Sequence, residues 1–222
     1  MAASKQSNAR GAARGQRTRM KPEERREMIA REGASLVARY GMYGFSMNAL
    51  ADAVGLTVPG LTHYVKDREE LCTLIIETCY DKPTDAGFIS SVLLENAQIE
   101  GTDEFSLPRY LLNMIEENGE RVEMYRLFME LQIEAHDEDH PAHGYFRERH
   151  AEILQSMLDQ PWRLPERYQG DRELLIHLIK TCFMAMDGAQ LHSLTSPDES
   201  LSDFWAHAEA ILFPSPEWDG YR

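Results

Sequence analysis

Apolar residues along this chain recur three and four apart over most of its length, which is the spacing of helices. The first stripe, Met28, Ile29, Ala30, Gly33, Ala34, Leu36, Val37 and Tyr40, predicts a helix to about Arg39. Pro22 in a first-turn position, followed by Glu23 and Glu24, marks its start, and Gly41 and Gly44 its end. Ser46 is placed to cap a short helix to about Val54, which Gly55 stops. Thr57 or Val58 opens a third short helix, with Pro59 tolerated in its first turn. Asp67, with Glu70 three residues later, is a capping pair for a fourth helix from Arg68 to about Asp81, ended by Lys82-Pro83. Residues 84–104 are ambiguous, with Phe88 to Leu94 either helix or packed loop. Ser106 and Pro108 start a further helix to about Asn118, and helical patterns also cover about 121–135, 142–159, 171–194 and 199–212. No alternating stretch bounded by hairpin turns appears, so the expected fold class is all-α.

Charge changes the picture. The 222-residue chain has a net charge of -14, which taken whole argues against contact with phosphates. Residues 1–68, however, hold 12 Lys and Arg against 6 Asp and Glu, a net of +6, and the remainder carries -20. All of that excess lies in residues 1–21, which have no acid and few apolar groups and read as a flexible basic arm. A basic end on an acidic body points to nucleic-acid contact at one end only. Three cysteines, Cys72, Cys79 and Cys182, make no disulfide framework and fit a reducing cytoplasm. The longest apolar run, Leu174 to Met186, is broken by His177, Lys180 and Thr181, so it reads as a buried helix with no membrane partner. The N-terminus has no apolar core of a secretory signal, although an Arg-rich, acid-poor leader can also imitate an organelle transit peptide.

Met47 to Lys66 is the most informative segment. Two short helices that cross closely need a small residue where they touch, a turn residue that takes positive φ, and apolar plugs between them. Ala51, Gly55, and Leu50, Val54, Leu56, Leu61 and Tyr64 fall at those places, the pattern of a helix-turn-helix. The run from Tyr40-Gly41 through Gly44-Phe45-Ser46-Met47-Asn48-Ala49-Leu50-Ala51-Asp52-Ala53-Val54-Gly55-Leu56-Thr57 to Pro59-Gly60-Leu61-Thr62-His63-Tyr64-Val65-Lys66-Asp67-Arg68 resembles the DNA-binding domain of the tetracycline-repressor (TetR) family. Its Pro-Gly-Leu is like that of actinobacterial-type members, and the resemblance covers about residues 22–76. It implies an all-helical homodimer with a helix-turn-helix domain over 22–68 and a variable ligand-binding and dimerisation domain over 69–222.

By position, the resemblance implies phosphate contacts from the Ser46 and Thr57 hydroxyls, with Met47 and Asn48 beside them. Val58, Pro59, Gly60, Thr62 and His63 would face the major groove, and Tyr64 and Lys66 the backbone. Thr62 departs from the Tyr common in the family and is shorter, while Arg68 replaces a common Lys and keeps its charge. The residues themselves agree in outline: such a recognition helix offers few bidentate donors, so affinity should lean on phosphates, thymine methyls and the arm. Arg14, Arg17 and Arg19 are placed to enter an adjacent minor groove.

The acidic body shows no phosphate loop, nucleophile elbow or H-E-x-x-H. His136, His140 and His143, among acidic residues, are the basis of an alternative, an all-α metal-dependent hydrolase, although Pro141 disfavours helix at His140 and a polar inter-helix capping loop is the better account of the cluster. A third alternative is a bundle whose arm binds acidic proteins. The family's pocket lies among the central helices, and Tyr110, Met114, Phe128, His150, His177 and Met184 are the expected lining. Flexible Met suits apolar effectors, and the charge favours neutral or cationic ones. The last two long helices build the family's dimer interface, for which Gly188, Gln190, Leu191, Phe204, Trp205 and Ala208 are expected. The combined expectation is a ligand-responsive regulator, a repressor rather than an enzyme, that needs no cofactor and binds a palindromic operator.

Overall fold

The computed structural model describes residues 20–41, 44–81 and 89–222. Arg14, Arg17 and Arg19, with the rest of the expected arm up to residue 19, lie outside the described residues. The fold is all-helical, with no strand among the described residues. In chain order the helices are α1 (Pro22–Tyr40), α2 (Met47–Ala53), α3 (Val58–Leu61), α4 (Arg68–Ile75), α5 (Ser91–Asn96), α6 (Leu107–Gly119), α7 (Val122–Glu134), α8 (His143–Leu158), α9 (Arg172–Ser193) and α10 (Leu201–Leu212).

Capping sets most of these starts. The hydroxyl of Ser46 accepts from the Ala49 N–H at 3.1 Å, and that of Thr57 from the Gly60 N–H at 3.2 Å. Asp67 caps α4 through the Glu70 N–H at 2.9 Å. Glu70 does not close the reciprocal bond to Asp67 that the sequence suggests. Its carboxylate accepts instead from the Lys66 N–H at 2.7 Å, one residue upstream, and sits 3.8 Å from Arg26 of α1. Ser200 and Asp203 form a full capping box at α10. Gly55 turns the chain between α2 and α3 at φ +67°.

Two elements differ from expectation. The helix begun at Arg68 leaves α geometry at Ile76 and finishes in a π-helical turn, Ile76–Tyr80. Within the ambiguous region, residues 82–88 lie outside the described residues and α5 forms at Ser91–Asn96, capped by Ser90.

Side chains bury into two cores. The first gathers α1 to α4 with Met124, Leu127, Phe128 and Leu131 of α7 and Phe146 of α8. The second gathers α5, α6, α9 and α10 with Tyr125, Met157 and Trp218. The seam between the cores therefore does not fall at residue 68, since α4 and α7 both pack into the first. Tyr80, at the end of the π turn, packs against both.

Helix α9 matches the helical pattern read over 171–194 and extends beyond the apolar run within it. It continues past Met186 through Asp187 and Gly188 to Ser193, and by length and composition it is apolar enough to cross a membrane. Its inner side, Leu178, Ile179, Cys182, Met186, Ala189 and Gln190, is buried within the protein, and its partners are α10, α8 and α7.

Candidate nucleic-acid interface and ligand cavity

α2 packs against α1, and α3 against α2. Arg25 of α1 donates to the Val54 carbonyl at 3.4 Å and Arg26 to the Tyr64 carbonyl, so α1 holds the chain just after each of the two helices through charged donors. Inside, Leu50, Ala51, Val54 and Leu61 are buried, as the crossing of two short helices requires.

Of the expected groove and phosphate residues, Ser46, Asn48, Thr57, Pro59, Thr62, His63 and Lys66 are exposed. Met47, Val58 and Tyr64 are half-buried and pack on the first core, and Gly60 is half-buried. Ser46 and Thr57 use their oxygens as caps, which leaves each hydroxyl hydrogen able to donate to an anion. The Thr62 hydroxyl already donates to the Pro59 carbonyl at 3.1 Å, leaving its methyl as the outward chemistry. The His63 and Tyr64 rings meet edge to face at 5.4 Å. Arg68, expected at the DNA, is half-buried. Its guanidinium lies 4.5 Å above the Phe45 ring and donates to the Phe45 carbonyl, so it fastens α4 to the segment before α2.

A cavity of about 450 Å³ lies where the π turn, α5, α6, α7, α8 and α9 meet. Tyr110, Met114 and Phe128 line it as expected. His150, His177 and Met184 do not: each is exposed on the outer side of its helix. Their neighbours face inward instead, Arg149 on α8 and Phe183, Met186, Asp187 and Gln190 on α9. No local signal separated these positions, because α9 is apolar nearly all round and its inward phase cannot be read from periodicity.

The polar side of the cavity is organised in pairs. Arg149 grips Asp81 through two bonds of 2.7 Å, with 14% and 5% of the side chains exposed. The Arg149 guanidinium also covers the Phe128 ring at 4.4 Å, and Phe128 stacks on Tyr80 at 4.8 Å. Arg121 donates to Glu117 at 3.2 Å and to the Cys79 carbonyl at 2.6 Å. Burial pushes the Tyr80 phenol up to about 12, against the lowering effect of Arg149. It also raises the Asp187 carboxyl above its usual value, more than Arg149 and His150 lower it. A larger but more open depression of about 630 Å³ lies by Trp162, Tyr168 and Tyr221, away from these groups.

The histidine loop is used for local structure. His140 Nδ1 accepts from the Ala142 N–H at 3.1 Å, and His143 Nδ1 donates to the Ala135 carbonyl at 3.0 Å. His136 is exposed, and no group of three metal-ligating side chains occurs among the described residues.

On α9 and α10, Met184, Leu191 and Ile211 are exposed, Ile211 at 80%. Gly188, Phe204 and Ala208 are half-buried beside them. Gln190 and Trp205, expected at an interface, turn into their own chain and are 2% and 0% exposed, so neither can meet a partner. Comparison of the chain with protein-family models, with curated proteins and with solved structures finds no match to any of them.

Proposed function

We propose that the protein is a ligand-responsive, homodimeric DNA-binding transcriptional regulator of the tetracycline-repressor type, and acts as a repressor. The observation that carries this reading is the α2–Gly55–α3 unit. It is held on α1, its helix starts are capped by exposed hydroxyl residues, and it presents Pro59 on α3 and Thr62 and His63 in the turn that follows it. A helix of this length displayed at the surface suits insertion into a major groove, with the Ser46 and Thr57 hydroxyls and backbone amides at the phosphates.

One such helix reads few base pairs, so two copies about 34 Å apart are required for an operator. The exposed apolar positions Met184, Leu191 and Ile211, flanking Gly188, supply a face for pairing α9 and α10 with a second copy. A Cβ added at Gly188 would meet nothing within 4 Å, so the surface is open there for a partner helix to approach.

Effector control runs through α4. Its first residue, Arg68, is fastened to Phe45 before α2, and the chain it begins ends at Tyr80 and Asp81 in the cavity wall. A ligand that binds the cavity better in one spacing of the two recognition helices shifts the dimer toward that spacing. The test is selection of bound sequences from random duplex DNA by the purified dimer. A two-fold symmetric sequence bound at moderate salt is the expected result, and no sequence preference would overturn the proposal.

A further inference from the structure

The polar groups of the cavity differ in what the described residues give them. Its cations are committed: Arg149 is bound twice to Asp81, and Arg121 to Glu117 and the Cys79 carbonyl. Asp187 has neither a hydrogen bond nor an ion pair among the described residues. Gln190, three residues on and one turn along the same helix, is 2% exposed, and its Oε1 is buried with no hydrogen-bond partner among them. Two acceptors on one side of α9 thus line the same space; the Tyr80 phenol meets the Gln190 side chain, while Gln190 Oε1 itself stays without a partner. Unmet buried acceptors cost free energy that a donor-bearing ligand recovers. The rest of the wall is apolar and adaptable: Met114, Ile153 and Met157 come from α6 and α8, and Phe183 and Met186 lie one turn before Asp187 and Gln190 on α9.

We propose that the cavity takes a primary organic ammonium with an apolar body, the ammonium bonding Asp187 and Gln190 Oε1 and the body lying against the Met and Phe wall. An ammonium carries three donors on one atom, which matches two acceptors a helical turn apart. A carboxylate or phosphate head would meet the Asp187 carboxylate and be repelled by it. An alcohol would satisfy one acceptor and leave Asp187 uncompensated. Burial that raises the Asp187 carboxyl supports this, because a cation at that point offsets the same penalty. A volume of about 450 Å³ falls within the ordinary range for small-molecule sites. The inference rests on the ligand-responsive reading above only for the consequence of binding, not for the binding itself.

The test is titration calorimetry on the full chain with three probes that share one tail, decylammonium, decan-1-ol and decanoate, each below its micelle-forming concentration. Decylammonium should bind at least about tenfold more tightly than decanol, and decanoate more weakly than either. Asp187→Asn should abolish the preference for the ammonium while decanol still binds, which also shows that the variant is folded. Gln190→Leu should reduce the preference in the same direction. Equal binding of the three probes, a preference unchanged by Asp187→Asn, or no binding of decylammonium would each overturn the inference. Release of the selected duplex is measured separately. Asp187-dependent binding that leaves the duplex in place upholds the inference and overturns ligand control, whereas sequence-specific duplex binding with no ammonium preference does the reverse.

Discussion

Gly55 carries the turn between α2 and α3 at φ +67°, and a Cβ added there would meet nothing within 4 Å. Gly55→Ala therefore imposes backbone strain alone, ~1 kcal/mol, read as a lower urea midpoint at unchanged slope. Gly44 is different: its added Cβ would sit 1.8 Å from the Tyr40 carbonyl oxygen, so Gly44→Ala must move the backbone and destabilise more than Gly55→Ala. Both positions were legible as turns, because glycine in a helical pattern marks where the chain must do what other residues resist. Asp187 was legible only as a neighbour of Gly188. Since burial disfavours its charge, the folded protein takes up a proton at Asp187 more readily than the unfolded chain. The stability this group contributes is full below its usual pKa and is lost as pH rises through the raised value. Asp187→Asn, which cannot ionise, should therefore raise the melting temperature at neutral pH, and the gain over the parent should shrink as pH falls into the carboxylate range.

At the scale of elements, α8 shows how a reading can be right about a helix and wrong about its phase. His150 was expected at the cavity, yet it is exposed and its neighbour Arg149, about 100° around the helix, reaches Asp81. That pair joins α8 to the end of the π turn. Arg149→Met leaves a buried carboxylate unpaired and should cost about 3 kcal/mol, more than Arg149→Met combined with Asp81→Leu. Denaturation of the two single variants and the double variant measures the coupling. The π turn itself was invisible beforehand, since Ile76–Tyr80 has the residue types of an ordinary helix end. For α9 the amphipathic signal fails in the same way: His177, Met184 and Leu191 face out while Met186 and Gln190 face in.

At the scale of the whole molecule, the excess basic charge lies in residues 1–21 and exposed apolar positions lie on α9 and α10. Placing a carboxylate on the outer side of α10 by Ile211→Glu removes an apolar contact from the proposed pairing face without touching either core, because Ile211 is 80% exposed. It should give monomer mass by sedimentation equilibrium where the parent gives dimer, and at least tenfold weaker operator binding. The basic end carries a separate expectation. Deleting residues 1–18 removes Lys5, Arg10, Arg14 and Arg17. Operator affinity should fall, and the dependence of log K on log salt should flatten, because fewer counterions are released. An unchanged slope would show that the arm does not touch the duplex.

The sequence alone determined what is local. Helix starts follow from Ser46, Thr57, Asp67, Ser106 and Ser200, whose side chains each accept from the amide three residues ahead, and the turn at Gly55 follows from its freedom in φ. The split of charge was a matter of counting. Tertiary structure decided what depends on helices meeting. It turned Trp205 and Gln190 inward and Leu191 outward, spent Arg68 on Phe45, and set Asp81 and Arg149 together 68 positions apart. The reason is physical: a cap is satisfied within one turn of chain, whereas a cavity wall is chosen by how six helical segments rotate to bury their sides, and no single stripe records that choice.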